Sequence, residues 1–136
     1  MNLPRPADQL ADCVWLPRII AKARHLAAGT LTDDYAARFG HASGVDGQFL
    51  SFFNLTKDDV VAIAGLRDDA IADWFRSLSD RREGIPQWNH LASNPGRTGF
   101  PMAERLPVAL TTTYRHLAPQ TFATVFDVLD ADEASR

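Results

Sequence analysis

One helix of this chain has its beginning, its buried face and its end all encoded in the residues. Pro17 suits a first helical turn, where a missing N–H leaves no bond unmade, and Gly29 suits the left-handed residue that ends a helix. Between them, apolar residues recur at steps of three and four, as on one face of a helix. This face comprises Leu16, Ile19, Ile20, Ala23, Leu26 and Ala27. The pattern predicts an amphipathic helix that packs against a core.

The other side of the same helix is basic. Arg18, Lys22 and His25 fall opposite the apolar face, and Arg24 lies at the boundary between the two faces. One interpretation is a solvated basic surface. The other is an anion site, because the planar guanidinium group matches a carboxylate or phosphate. We therefore treat Arg18 and Arg24 as candidate anion-binding residues.

Length and composition predict one globular domain. The chain has 136 residues, of which 46% are hydrophobic and 23% charged, enough for a single core. Pro4 and Pro6 predict an extended arm over residues 1–12, and residues 130–136 form an acidic stretch that we expect to fray. We therefore expect a single domain over residues 1–136.

Charge and hydropathy exclude several classes of partner. The net charge of −3 and the lack of a basic run argue against nucleic-acid binding. No segment approaches the roughly 20 apolar residues that span a bilayer, and the N-terminus has no apolar signal core. The lone Cys13 is compatible with a reducing compartment, and we expect it to be buried. These features predict a soluble, cytoplasmic protein without a membrane partner.

The rest of the chain reads as short helices separated by long irregular loops. We find no alternating run that demands a strand. The predicted elements are a loop over 30–46, a short apolar helix over 49–53, a capped helix from Thr56 to Gly65, a helix from about Asp68, an irregular segment over 84–101 with a turn or two of helix at 87–92, and helices over 103–117 and 119–129. The fold class is therefore all-α, a compact bundle of about five or six helices.

Several short motifs, in their order and spacing, resemble a known bacterial family. They are Leu16-Pro17-Arg18, Lys22-Ala23-Arg24, Ala28-Gly29-Thr30-Leu31, Tyr35, Asp46 with Phe49-Leu50, Trp74, Trp88-Asn89 and the ending from Phe126 to Glu133. Together they resemble the family known as domain of unknown function 5069 over nearly the whole chain. Residues 94–107 depart from its pattern. The resemblance implies a small intracellular protein and no particular activity.

Searches for known catalytic and cofactor motifs are negative. The sequence has no phosphate-binding Gly-x-x-x-x-Gly-Lys loop, no Gly-x-Gly-x-x-Gly and no Gly-x-Ser-x-Gly. The four histidines show no close metal-ligand spacing, and one cysteine cannot form a thiolate zinc site. We therefore predict no cofactor and no metal, although a metal site assembled from distant residues stays open.

The remaining candidates lie in the long loop after the first helix. Tyr35 and His41 are candidate proton donors or acceptors, with Asp46 as an orienting carboxylate. Each also has a structural interpretation: Tyr35 as a loop anchor, His41 as a solvated loop residue and Asp46 as a helix cap. Trp88 and Asn89 either line the same cleft or fix an irregular segment to the core.

Two functions from different classes follow. The first is a cofactor-independent enzyme or binding protein for a small anionic, carboxylate-type metabolite, with Arg18, Arg24, Trp88 and Asn89 binding substrate and Tyr35, His41 and Asp46 catalytic. The second is a non-catalytic module that self-associates or binds a partner protein through an apolar face. A homo-oligomer is compatible with both. The clustering of polar residues in one loop favours the first.

Overall fold

The computed structural model describes residues 2–42, 44–77, 79–92 and 125–134, without the side chains of 79–82. These residues form seven helices and a two-stranded hairpin, so the predicted helical fold is confirmed. The chain divides into two compact units, residues 1–88 and 89–136. The predicted helix over 103–117, the start of the one over 119–129 and the divergent segment 94–107 lie outside the described residues.

A short antiparallel hairpin begins within the segment 1–12, in which the sequence suggested an extended arm, and ends just after it. Strand β1 (Gln9–Leu10) pairs with β2 (Cys13–Val14), with Leu10 opposite Cys13. The two residues between the strands, Ala11 and Asp12, both have positive φ, 54° and 60°, as in the tight turns that suit a hairpin. Such turns favour Asn and Gly, so an Ala-Asp pair gives little signal in the sequence.

Helix α1 (Leu16–Ala28) begins and ends where the sequence predicts. Pro17 lies in its first turn, and Gly29 ends it at φ 73°. The N–H groups of Gly29 and Thr30 donate to the carbonyls of Leu26 and His25, at 3.2 and 2.9 Å respectively. These bonds satisfy carbonyls that would otherwise lack a partner at the helix end.

The expected solvated face of α1 is wrong for two of its residues. Arg18 is 1% exposed and Lys22 is 5% exposed. The physical reason is that other parts of the chain cover this side: Arg18 contacts the N-terminal segment at Pro4, and Lys22 contacts Asp46 of the third helix. Helical periodicity distinguishes the two sides of a helix but does not show whether a second layer covers the polar side.

Two helices lie within or beside the predicted loop 30–46. Helix α2 (Asp33–Arg38) buries none of its residues, and α3 (Val45–Phe52) starts at the end of the loop. The prediction that the Phe49 segment is core is confirmed, because the Phe49 ring packs 5.0 Å from Phe53 and 5.3 Å from Trp88 between centroids.

Helices α4 (Lys57–Ile63) and α5 (Asp68–Ser77) follow. The capping box predicted at the start of α4 is confirmed: Asp59 N–H donates to the Thr56 hydroxyl, and Thr56 N–H donates to the Asp59 carboxylate at 2.9 Å. Helix α4 packs against α1. Helix α5 buries Ile71, Ala72 and Phe75, and the Phe75 ring joins the aromatic core.

Helix α6 (Ser79–Ala92) corrects the expectation of irregular chain from Gly84. The helix continues through Pro86, although a proline removes one helical hydrogen bond. Ile85 and Trp88 are buried, and Trp88 packs against the phenylalanines of α3. Tertiary packing of this face therefore outweighs the local cost of the proline.

In the second unit, α7 (Val125–Ala134) extends into the stretch expected to fray and buries Phe126, Val128 and Asp132. None of the described helices combines the length and apolar character needed to cross a membrane.

Candidate functional site

Trp15 connects the hairpin to α1 in an unusual backbone conformation. Its φ is 71° and its ψ −26°, a region that bulky residues avoid at a cost of about 1–3 kcal/mol. Its ring is buried, with Arg18 Cζ 5.2 Å and Lys22 Nζ 5.0 Å from the ring centroid. Two cations therefore flank the indole from the next two turns of the same helix.

Asp46 is the carboxylate at the centre of this group. Trp15 Nε1 donates to Oδ1 at 2.7 Å, Lys22 Nζ lies 3.0 Å from Oδ2 and 3.2 Å from Oδ1, and Gly40 N–H donates to Oδ2 at 3.1 Å. Asp46 is 2% exposed. We call Trp15, Arg18, Lys22 and Asp46 the hub. It fastens α1, α3 and the turn after α2 to one another.

The hub holds its carboxylate in a closed arrangement. Both oxygens of Asp46 accept from two donors each, so the carboxylate has used its hydrogen-bonding capacity. Asp46 does not cap α3, whose N-cap residue is Gly44 without a side-chain bond. A substrate would reach Asp46 only after the surrounding chain moved, because general-base catalysis requires hydrogen-bond contact.

Arg18 also lies in the interior instead of on an open anion site. Its Nη1 donates to the Pro4 carbonyl at 3.0 Å, and its guanidinium carbon lies 6.0 Å from the Tyr35 ring centroid. The guanidinium therefore lies within cation–π distance of both the Trp15 and the Tyr35 rings. This position fixes the N-terminal segment against α1.

The two proton-transfer candidates differ in position. Tyr35, on α2, is half-buried beside Arg18, whereas His41 is exposed on the turn after α2. His41 follows Gly40, whose N–H donates to Asp46. The structure thus brings Arg18, Tyr35 and Asp46 to one region and leaves His41 at its edge.

Arg24 is separate from the hub and contacts α4 and the start of α5. Its Nε donates to the Ala64 carbonyl at 2.9 Å, and its Nη2 donates to the Leu66 carbonyl at 2.8 Å. The same Nη2 lies 2.9 Å from the Asp68 carboxylate. This guanidinium closes the end of α4, where helical carbonyls lack partners. It therefore acts as a clamp between elements.

Trp88 fixes its segment to the core, which is the second of the two interpretations that the sequence offered. Its Nε1 donates to the Val14 carbonyl at 2.9 Å, next to Trp15, and its side chain is buried. Asn89 is half-buried and belongs to the second unit. Trp88 thus ties α6 to the hairpin.

Sequence reasoning missed Trp15 and Lys22 as members of the hub. Lys22 is four residues after Arg18, so both occupy one side of α1, and Trp15 immediately precedes the helix. The spacing can be read from the sequence, but the sequence does not show that this side of α1 is buried. A tryptophan next to two cations one turn apart was the available signal.

Three large hydrophobic side chains are exposed in the described residues, on α1, on α4 and just after α4. Leu26 is in the last turn of α1, Val61 is in the last turn of α4, and Leu66 follows α4 with 49% exposure. The Arg24 bonds to Ala64 and Leu66 fix the two ends together. We call Leu26, Val61 and Leu66 the apolar end.

Cys13 and the metal candidates offer no reactive centre in the described part of the chain. Cys13 is buried as expected, and its burial raises the pKa of the thiol well above the usual range. The thiolate, which is the nucleophilic form, is therefore disfavoured. No group of three or more His, Cys, Asp or Glu side chains among the described residues is arranged to hold a metal ion.

Comparison with known proteins agrees with the resemblance drawn from the motifs. No curated protein and no solved structure gives a significant match. A family model described as a domain of unknown function, DUF5069, matches residues 2–135, nearly the whole chain. The hub, the Arg24 clamp and the apolar end all lie within the matched residues. The chain belongs to the DUF5069 family.

Proposed function

We propose that this chain is a non-catalytic interaction module that self-associates through the apolar end. The observation that carries the proposal is the exposure of three large apolar side chains, Leu26, Val61 and Leu66, on or just after α1 and α4, two helices that pack together. Large apolar side chains exposed on adjoining elements favour a contact surface. The Arg24 clamp holds this surface in place, which lowers the entropy lost on association.

The state of three predicted site residues supports the same proposal. Asp46, predicted to be catalytic, is ion-paired and buried, whereas of the predicted substrate-binding residues Arg18 is buried beside two aromatic rings and Arg24 binds backbone carbonyls. A catalytic site needs groups that reach the substrate. These three side chains instead hold elements of the fold together, which favours the non-catalytic interpretation.

The charges beside the apolar end favour a second copy of the chain as partner. Arg67 and Asp69 form an exposed pair at 3.3 Å, with side chains 87% and 70% exposed, directly after Leu66. In a two-fold contact the same patch meets itself, so the arginine of one copy can pair with the aspartate of the other. A surface that carries both a positive and a negative charge is therefore complementary to a second copy of itself.

Sedimentation equilibrium over a range of concentrations tests self-association. We expect the wild-type chain to form dimers, and Leu66→Asp to weaken dimerisation by at least about tenfold, because it places a charge where the proposed contact would bury a leucine. Gln87→Glu adds the same charge at an exposed position of α6 and serves as the matched control. A wild-type chain that stays monomeric at every concentration would overturn the proposal, as would equal weakening by both variants.

A second candidate is the binding of a small anionic, carboxylate-type molecule at the hub, by a cofactor-independent enzyme or binding protein. It is favoured by one observation: Arg18, Tyr35 and Asp46, chosen from the sequence, occupy one region with Lys22. Compared with apolar residues of similar size, a buried ion pair adds little stability, so its presence favours a specific role.

Thermal unfolding with a panel of carboxylates, phosphates and neutral analogues tests this candidate. A ligand at about 100 times its dissociation constant adds roughly 2.7 kcal/mol of stability. We expect Tyr35→Phe, which keeps the ring beside Arg18, to reduce the shift, and Asp8→Asn, at an exposed carboxylate near the N-terminus, to leave it unchanged. A panel without any shift counts against the second candidate and leaves self-association to be judged by sedimentation.

A further inference from the structure

The segment over residues 31–42 contains α2 and differs from the other helical parts of the first unit. None of the residues of α2 is buried. Its N-cap residue, Thr32, makes no capping bond through its side chain, and its hydroxyl donates to Asp34 at 2.7 Å. We call residues 31–42 the strap. Helices that bury little apolar surface lie at the low end of local stability.

The strap is fastened near its C-terminal end. Phe39 is buried, with Lys57 Nζ 5.0 Å from its ring centroid. Gly40 takes a positive φ of 73° and lies against the Lys57 side chain, so that its N–H donates to Asp46. Tyr35 rests beside Arg18. These contacts join the strap to the hub and to α4.

Two consecutive residues of α3 receive the end of the strap. Asp46 accepts the Gly40 N–H, and Gly47 lets the backbone of His41 and Ala42 approach closely. A Cβ atom at position 47 would collide with the His41 carbonyl oxygen and lie 2.6 Å from Ala42 Cα. Both contacts are with backbone, which cannot turn aside as a side chain would. The strap position therefore depends on Gly47.

We propose that the strap opens as a local unit, latched by Asp46 and Gly47, while the rest of the first unit stays folded. Opening separates Gly40 from Asp46 and moves Tyr35 away from Arg18, which gives solvent access to the hub. The inference does not rest on self-association, because it uses no residue of the apolar end.

Amide hydrogen exchange on the full-length chain tests the proposal. In the wild type we expect the amides of Phe39, Gly40 and His41 to exchange at least about tenfold faster than that of Ile19 in α1, with rates that low urea does not raise. Each of these amides is hydrogen-bonded in the closed state, so its exchange reports opening. Strap amides that exchange at the rate of Ile19, with the same urea dependence, would overturn the proposal.

A substitution at Gly47, one of the two residues that hold the strap closed, provides a second test of the proposal. Gly47→Ala places a methyl group against the strap backbone, and we expect exchange of the strap amides to rise about tenfold further while that of Ile19 changes little. Gly44→Ala is the matched control, because its Cβ would meet only the His41 oxygen at 3.7 Å, an ordinary contact. The proposed role of Gly47 is refuted if Gly47→Ala accelerates amide exchange of Ile19 as much as that of the strap. It is also refuted if Gly47→Ala and Gly44→Ala change the exchange of the strap amides equally.

Discussion

Removal of the Lys22 charge tests whether the hub stabilises the first unit. Lys22→Met keeps the apolar stem but leaves the Asp46 carboxylate buried, with the N–H groups of Trp15 and Gly40 as its remaining described donors. Removing one member of a buried ion pair costs about 3–5 kcal/mol, because the other charge stays buried. Since two donors remain, we expect a loss near the lower limit, about 3 kcal/mol.

Urea denaturation followed by tryptophan fluorescence measures this loss. All three tryptophans, Trp15, Trp74 and Trp88, lie in residues 1–88, so the signal reports on the first unit. The free energy of unfolding is compared for Lys22→Met, Asp46→Asn and the double variant. We expect the double variant to be more stable than the sum of the single losses predicts by about 2 kcal/mol, because it removes both buried charges together.

An exposed ion pair provides the control for this cycle. Arg76 and Asp12 lie 3.4 Å apart at exposed positions away from the apolar end. The cycle of Arg76→Met and Asp12→Asn is expected to give a coupling below about 1 kcal/mol, as is usual for surface pairs. The reasoning about the hub fails if Lys22→Met costs less than about 1 kcal/mol, or if the two couplings are equal.

Three further predictions concern the clamp, the thiol and the end of α1. Arg24→Met is expected to lower the free energy of unfolding by about 1–3 kcal/mol. Arg24→Lys should recover only part of this loss, because lysine lacks the planar guanidinium group. Full recovery of stability by lysine in urea denaturation would contradict the proposed clamp. The raised pKa of Cys13 keeps the thiol protonated in the folded state, whereas the thiol ionises in the unfolded state. Above about pH 8.5, the free energy of unfolding of the wild type should therefore fall by up to about 1.4 kcal/mol per pH unit relative to that of Cys13→Ala. A difference between the two proteins that stays constant to high pH would contradict this. Gly29→Ala should lower stability by about 1 kcal/mol because of the positive φ alone, since a Cβ atom there would meet no neighbouring atom. A Cβ atom at Gly65 would also meet no neighbour, and Gly65→Ala should be nearly neutral. Equal shifts in melting temperature would show that the left-handed conformation of Gly29 is unimportant.

Local signals predicted the ends of elements well. The start and end of α1 follow from Pro17 and Gly29, and the start of α4 follows from the capping box of Thr56 and Asp59. Each signal acts within one helical turn, so neighbouring residues in the sequence contain the whole interaction. The family resemblance also depended on short motifs in order, and the match over residues 2–135 confirms it.

Long-range packing accounts for what the sequence did not predict. Lys22 and Asp46 are 24 residues apart, and Arg24 meets Ala64 across 40 residues. No local pattern distinguishes a lysine that pairs at such a distance from one in water. The continuation of α6 through Pro86 also depends on distant partners, since Trp88 packs on α3 and bonds to Val14.

The bonds of α1 and its preceding hairpin determine when this part of the chain can complete its packing during synthesis. Trp15 needs an acceptor 31 residues later, Arg24 needs a carbonyl 40 residues later, and Val14 receives the indole of Trp88 74 residues later. Closing such long loops costs entropy that only the completed contacts repay. As the chain leaves the ribosome, Lys22 therefore lacks its buried partner until α3 has emerged, and Arg24 lacks its acceptors until the end of α4 has emerged. The first helix to be synthesised completes these contacts only after the third and fourth helices are made.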